Sequence, residues 1–180
     1  IALGVAIVGP LASIGGIVHL VHQGLMKITL FFCAGNYAET LGLHKVSELD
    51  GVGRRMPLTT AAFTVAALGM IGLPPMAGFI SKWYLGLGAL EAGDTWAVFV
   101  LAGSSALNAA YFLPILHRAW FRAPAGPWPP LPAGARAETA LALLAPPVIT
   151  ALLGLLAGLL AAGSCAALSA FVVWRGMAFL

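Results

Sequence analysis

The stretch GGIVHLVHQGLMKITLFFCA, residues 15–34, decides the fold. Its length and apolar character fit one crossing of a bilayer, which takes about 20 predominantly apolar residues. Lys27 is the only Asp, Glu, Lys or Arg in residues 1–38. Because an ammonium group in hydrocarbon costs about 3 kcal/mol or more, such a residue usually faces a bundle interior or a water-filled path. The stretch therefore predicts a membrane helix with a functional lysine.

The composition of the whole chain also indicates a membrane protein. Hydrophobic residues make up 61% of the 180 residues and charged residues 8%, whereas soluble domains carry about 25% charged residues. No basic cluster is interleaved with aromatic residues, so nucleic acid is not an expected partner. Cys33 and Cys165 match no redox or zinc spacing, and we interpret both as small buried hydrophobic residues. We expect a multi-pass protein of the cell inner (plasma) membrane, in contact with the lipid bilayer.

Apolar runs separated by polar or proline-rich segments predict an all-α fold, a polytopic transmembrane helix bundle. We treat residues 1–180 as a single transmembrane domain, a C-terminal fragment of a longer protein with about five spans. Gly72-Leu-Pro-Pro75 separates two of the spans, and because consecutive prolines cannot continue a helix, the bundle contains a discontinuous (broken) helix. The expected spans are 11–34, 57–71, 76–90, 95–121 and 137–160, with 166–180 as a candidate interfacial helix.

Two further features of the spans bear on the topology. Pro146 and Pro147 predict a kink or break in the fifth span, tolerated where neighbouring helices satisfy the freed carbonyls. One basic loop contains residues 45, 54 and 55, and the other contains residues 118, 122 and 136. Three intervening spans place these loops on opposite sides, whereas a re-entrant third span places them on one side. The positive-inside rule therefore does not decide orientation from the sequence alone.

Helical geometry groups the polar residues around Lys27. At about 100° per residue, His19, Gln23 and Lys27 drift by about 40° per step, and His22 lies about 60° to the other side of His19. All four fit an arc of roughly 140°. Imidazole titrates near neutrality and relays protons, and burial disfavours the charged form of lysine. The pattern therefore predicts a proton relay along one face of the helix.

Lys82 is a second lone lysine, about seven residues beyond the Pro74-Pro75 break. Discontinuous helices at membrane depth recur in transporters. We expect the positive dipole end of the broken helix to oppose the charge of Lys82, and the adjacent Ser81 to help hydrate it.

Simpler interpretations remain open for each of these residues. Lys27 and Lys82 are also placed where they can snorkel to a nearby span end. His19 and His22 also suit plain hydrogen bonding between helices. Histidines three residues apart without a nearby carboxylate make a weak metal site, and no nucleotide-loop or triad motif is present. We therefore expect neither a metal nor a cofactor in this chain.

Two motifs, in order, resemble those of one membrane-protein family. Residues 22–35, HQGLMKITLFFCAG, resemble the "H-H-x-x-x-K-x-x-L-F-x-x-x-G" helix of antiporter-like membrane subunits. Residues 55–57, RMP, with residues 69–82, GMIGLPPMAGFISK, resemble their "MP…GLPP-x-x-GF-x-x-K" signature. Such subunits conduct protons in respiratory complex I, membrane-bound hydrogenases and Mrp-type multisubunit cation/proton antiporters. The resemblance covers about residues 15–121.

The resemblance implies specific roles. Lys27 would be the lysine of the central hydrophilic axis and His22 the relay histidine. Lys82 would be the key residue of the discontinuous helix in the second half-channel, where relatives carry Lys or Glu. Gln23 stands where Mrp-type members often have a second histidine, and His19 or a water molecule is the candidate substitute. The spacing of five between His22 and Lys27 favours proteins similar to the MrpD component of Mrp antiporters over complex I proper.

Three functions follow from these observations. The first is proton translocation through a central hydrophilic axis as a subunit of a multisubunit monovalent cation/proton antiporter. Its partners would be other membrane subunits, protons and, as an open alternative, sodium. The second is a proton-pumping membrane subunit of a complex I-type NADH:quinone oxidoreductase or a membrane-bound hydrogenase, with no redox or hydrolytic centre in this chain. The third is a structural membrane scaffold, for which Lys27 and Lys82 are dispensable.

Overall fold

The computed structural model describes residues 2–7, 10–124, 126, 128 and 138–177, and the side chains of residues 5, 10 and 161–177 lie outside the description. Within these residues all regular structure is helical, which confirms the predicted all-α fold. Three helices are long and apolar enough to cross a membrane, at Leu11–Leu41, Thr95–Phe121 and Leu141–Leu160. The helices are α1 (Ala2–Ala6), α2 (Pro10–Leu41), α3 (Val52–Arg55), α4 (Pro57–Ile71), α5 (Ala77–Glu91), α6 (Thr95–Phe121) and α7 (Leu141–Met177).

The two short helices α4 and α5 are stacked end to end along α2. The Tyr37 hydroxyl near the end of α2 donates to Thr60 Oγ1 in the first turn of α4, at 3.0 Å. At the opposite end of α2, the backbone of Ala12 lies against Gly88 of α5. Each 15-residue helix is only about 22 Å long, short of the roughly 30 Å hydrocarbon core. The two predicted spans 57–71 and 76–90 are therefore halves of one broken helix, which ends its first half at Gly72 (φ +88°).

The remaining long helices alternate in direction around this pair. Lys82 of α5 bonds to Ser105 of α6, and Trp120 near the end of α6 donates to Thr64 of α4, at 2.9 Å. Hence α6 runs antiparallel to the broken helix. In α7, Leu143 contacts the end of α2, and Gly158 lies against the loop between α4 and α5. Hence α7 runs antiparallel to α2.

The two basic loops lie together, which corrects the expectation that they fall on opposite sides. Asp50, in the loop after α2, pairs with Arg118 at 3.4 Å and with Arg122 at 3.7 Å. The Gly51 N–H also donates to the Arg118 carbonyl at 3.0 Å. The reason is that α4 and α5 count as one crossing. We call this end of the bundle, with the described residues Lys45, Arg54, Arg55, Arg118 and Arg122, the basic end.

Carboxylates organise the backbone at the basic end. The backbone N–H groups of His44 and Lys45 donate to the Glu48 carboxylate and hold the pKa of Glu48 below its usual value. Glu138, just before α7, accepts the N–H groups of Leu58 and Thr59 and the Thr59 hydroxyl. Met56, at the N-cap of α4, provides no side-chain cap. Glu138 therefore caps α4 from a distant part of the chain.

Two helix boundaries differ from the predicted spans. The first predicted span, 11–34, continues in α2 to Leu41 because Asn36 and Tyr37 are buried and find partners on α7 and α4. The fifth, 137–160, begins as a helix at Leu141, and residue 137 lies outside the described residues. Over residues 166–177 the candidate interfacial helix 166–180 is a continuation of α7, since no proline interrupts the chain after Pro147.

Pro146 and Pro147 lie within α7 without ending it. A proline has no N–H, so the carbonyls four residues earlier lose their helical donor. The Asn36 side-chain amide of α2 donates to one of these carbonyls, that of Leu143, at 2.9 Å. The hydroxyls of Thr29 on α2 and Thr150 on α7 lie 2.8 Å apart beside the same region. The neighbouring helix therefore satisfies a freed carbonyl, as the sequence predicts for tolerated prolines.

Candidate functional site

The close packing of α2 on α5 builds the candidate site. A Cβ added at Gly15 would lie 2.9 Å from the Leu85 nitrogen, and one at Gly88 would lie 2.5 Å from the Ala12 nitrogen. Small residues allow two helix backbones to approach closely in a membrane. The contact holds the first turns of α5 against the histidines of α2.

His22 is fixed to the start of α5. Its Nδ1 atom lies 2.9 Å from the carbonyl oxygen of Ala77, and only 7% of the residue is exposed. Because a carbonyl oxygen only accepts hydrogen bonds, Nδ1 must carry the hydrogen. The geometry therefore leaves Nε2 as the nitrogen of His22 that is free to exchange a proton.

His19 meets a group that both donates and accepts. Its Nδ1 atom lies 2.8 Å from Ser81 Oγ, which is fully buried. Ser81 Oγ also lies 3.2 Å from the Gly78 carbonyl oxygen. The hydroxyl therefore either donates to His19, or accepts from His19 while donating to Gly78. This pair allows the hydrogen bond to reverse direction without any side-chain movement.

Lys82 lies next to Ser81 but points to another helix. Its Nζ atom donates to the carbonyls of Met70 at 3.2 Å and Ile71 at 3.0 Å, the last residues of α4, and to Ser105 Oγ at 2.8 Å. The C-terminal end of a helix carries negative partial charge and favours a cation. The expectation that a positive dipole end opposes Lys82 is therefore wrong, because the side chain reaches back across the break to the end of the preceding half-helix.

Lys82 also lines a cavity of about 350 Å³ between α5 and α6. Most of its wall is apolar, formed by residues such as Phe79, Leu87 and Leu101. Lys82 and Ser105 contribute polar groups to the same wall. The ammonium group therefore lies between the end of α4 and an open space large enough for several water molecules, each taking about 30 Å³.

Lys27 is not brought together with the other predicted site residues. It is exposed and makes no hydrogen bond or ion pair with any described residue. The side of α2 that packs on α5 carries His19 and His22, and Lys27 lies about 100° around the helix from the middle of that side. The predicted polar arc is therefore divided, with the histidines covered by α5 and Lys27 outside the α2–α5 contact.

Ser105 joins the site although the sequence analysis does not identify it. Its signal is modest, a serine in the apolar run of α6 at a level that only the packing against Lys82 reveals. Among the described residues, no three His, Cys, Asp or Glu side chains gather as a metal site would require.

Comparisons with known proteins agree with the two motifs. The family model described as "NADH:quinone oxidoreductase/Mrp antiporter, TM" matches residues 1–108. The N subunit of the NADH-quinone oxidoreductase of Desulforudis audaxviator is 46% identical over 138 residues, covering 77% of this chain and 26% of that protein. The D-type subunit of the Na(+)/H(+) antiporter of Bacillus subtilis is 30% identical over 160 residues, covering 88% of this chain and 31% of that protein. The chain thus spans between a quarter and a third of the length of these relatives.

The fold is similar to that of a solved antiporter component. A chain of the Mrp complex from a Dietzia species superimposes with a TM-score of 0.75 and 25% sequence identity, covering 87% of this chain and 36% of that chain. The identity of 46% to the oxidoreductase N subunit exceeds that of 30% to the antiporter D-type subunit. The spacing between His22 and Lys27 favours the antiporter component, so the two criteria point to different kinds of complex.

Proposed function

This chain belongs to the family of NADH:quinone oxidoreductase and Mrp antiporter membrane subunits, and from that premise we propose that it conducts protons across the membrane within a multisubunit complex. The observation that carries the proposal is the contact between α2 and α5. It combines the exchangeable pair His19–Ser81, the buried His22 and, one residue beyond Ser81, Lys82. Ionisable groups inside a membrane domain are costly, and proton relays are one function that maintains them.

Each residue has a distinct role in this proposal. His19 and Ser81 pass a proton between α2 and α5, because their hydrogen bond works in both directions. Lys82 exchanges a proton with water in the cavity between α5 and α6. Lys27 exchanges its proton with groups outside the described residues, on the side of α2 that α5 leaves uncovered.

Two kinds of complex compete as the setting for this activity. The His22–Lys27 spacing and the fold similarity to the Mrp complex favour a monovalent cation/proton antiporter in the cell inner membrane. The higher identity to an oxidoreductase N subunit favours a quinone oxidoreductase complex in which other chains carry the redox chemistry. Gene neighbours distinguish the two, since small antiporter subunits accompany the first and iron–sulfur and quinone-module subunits the second. The coupling ion besides the proton, including sodium, depends on that assignment.

Proton flux in vesicles containing the full-length protein in its complex tests the proposal. We expect Lys82→Met and Lys27→Met each to abolish flux while the complex still assembles, because methionine fills similar space but cannot titrate. Lys45→Met, an exposed lysine at the basic end, is the matched control and should retain flux. Wild-type flux in both Lys82→Met and Lys27→Met would support the scaffold interpretation and refute the relay.

A second substitution separates charge from proton exchange at Lys27. Lys27→Arg keeps the positive charge, but a guanidinium does not release its proton. We expect flux in Lys27→Arg to be as low as in Lys27→Met. Normal flux in Lys27→Arg would show that the position needs only a positive charge.

A further inference from the structure

The contacts of the Lys82 ammonium group account for all of its hydrogen atoms. An ammonium has three N–H donors, and its three partners here are the Met70 and Ile71 carbonyls and Ser105 Oγ. The lysine side chain also packs on Gly72, where an added Cβ would lie 3.1 Å from Lys82 Cδ. The cation therefore caps the C-terminus of α4, as basic side chains often do.

The three partners differ in what they do when Lys82 loses a proton. The neutral amine keeps two N–H donors and gains a lone pair that accepts a hydrogen bond. The two carbonyls only accept, so they retain the two N–H groups. The Ser105 hydroxyl is the one partner of the three that is able to turn around and donate to the lone pair. Ser105 therefore fits both the charged and the neutral form of Lys82 in the same position.

The remaining surroundings of Lys82 provide no substitute for this hydroxyl. From α2, His19 is the titratable group within electrostatic reach of Lys82. From α4, the facing atoms are the two carbonyl oxygens, and the ion pairs found among the described residues involve only Asp50 with Arg118 and Arg122. No described carboxylate thus balances the lysine. Its position depends on the end of α4 and on Ser105.

We infer that Ser105 is a positioning residue for proton exchange at Lys82, holding the amine at the cavity wall in both protonation states. This inference rests on the proposed role of Lys82 in proton transfer. Without the hydroxyl, the neutral amine lacks a donor for its lone pair and the ammonium lacks its third acceptor. The side chain then leaves the end of α4 for the cavity, and each transfer requires it to return.

Proton flux against pH, in vesicles containing the full-length complex, gives the first test. We expect Ser105→Ala to lower the maximal flux about tenfold, the rate equivalent of about one hydrogen bond to a charged group, and to change the pH profile. Ser105→Thr keeps the hydroxyl and has room for its methyl group at the cavity, so it should restore both. Ser104→Ala, at the exposed neighbouring serine, is the matched control and should behave as wild type. Low flux in Ser105→Thr equal to that in Ser105→Ala would overturn the inference in favour of packing.

A readout that is independent of transport separates this inference from the proposed function. Reductive methylation by formaldehyde and a borane reductant modifies free amines, and mass spectrometry of the Lys82 peptide measures its rate. We expect faster methylation of Lys82 in Ser105→Ala than in wild type, Ser105→Thr or Ser104→Ala. An unchanged rate in Ser105→Ala would overturn the inference whatever the flux shows. Wild-type flux in Lys82→Met would instead overturn the role of Lys82 in transport, and the methylation result would still decide the role of Ser105.

Discussion

Asn36 should matter for stability only because residue 147 is a proline. Its side-chain amide donates to the Leu143 carbonyl, which would otherwise receive the N–H of residue 147. Asn36 is 4% exposed, and a bilayer interior offers no water as a replacement donor. We expect Asn36→Ala to lower the free energy of unfolding by about 1–3 kcal/mol, the cost of leaving a buried polar group without its partner.

The decisive variant removes the cause of that dependence. Pro147→Ala restores a backbone N–H at position 147, so Leu143 regains its helical donor and no longer needs Asn36. Pro147 is fully buried, so Pro147→Ala has a packing cost of its own, but this cost cancels in a double-mutant cycle. We expect Asn36→Ala to be about 1–2 kcal/mol less destabilising in the Pro147→Ala background than in the wild-type background.

Unfolding of the purified full-length protein in detergent, followed by SDS titration, measures all four members of the cycle. Asn108→Ala is the matched control, since Asn108 makes no hydrogen bond with the described residues, and it should show no coupling to Pro147. Strict additivity of Asn36→Ala and Pro147→Ala would refute the reasoning, because the amide would then stabilise the protein through some contact other than the freed carbonyl.

Two further predictions concern the broken helix and the basic end. Gly78→Ala should prevent assembly, because its Cβ would overlap the Gly69 carbonyl oxygen where the half-helices meet, whereas Gly86→Ala on the same helix meets nothing within 4 Å and should assemble normally by size-exclusion chromatography; equal assembly of the two variants would contradict the close contact. The positive-inside rule predicts that the basic end faces the cytoplasm. In a background without native cysteines, Ser47→Cys should react with an impermeant maleimide only from the cytoplasmic side and Ala92→Cys only from the opposite side, and the reverse pattern would refute this orientation.

Local signals in the sequence predict the helices well where chain breakers are strong. Pro57 and the Gly72–Pro75 segment bound α4, and the predicted span 57–71 has the same limits as the helix. The limits of α6 are likewise predicted, because Asp94 precedes the helix and a proline-rich loop follows it. The predicted end of α2 comes too early, since the observed end depends on Asn36 finding a partner on α7, over 100 residues away.

The site is less predictable, because its geometry depends on which elements lie next to each other. Helical periodicity places His19, His22 and Lys27 on one arc, but it does not contain the position of α5, which covers only the histidines. Similarly, the proximity of Lys82 to a helix break does not say which end of which half-helix its side chain reaches. Ser105 becomes visible only through that contact.

The fixed hydrogen at His22 has a consequence for how current can flow. A Grotthuss relay through imidazole takes a proton in at one nitrogen and releases another from the opposite nitrogen. At His22 the opposite nitrogen is committed to the Ala77 carbonyl, which cannot carry the charge onward. While that bond holds, His22 loads and unloads through Nε2 alone, as a side branch that stores charge and delays or advances its neighbours. Through-conduction there requires a ring flip, so in this part of the bundle the continuous wire runs by way of His19.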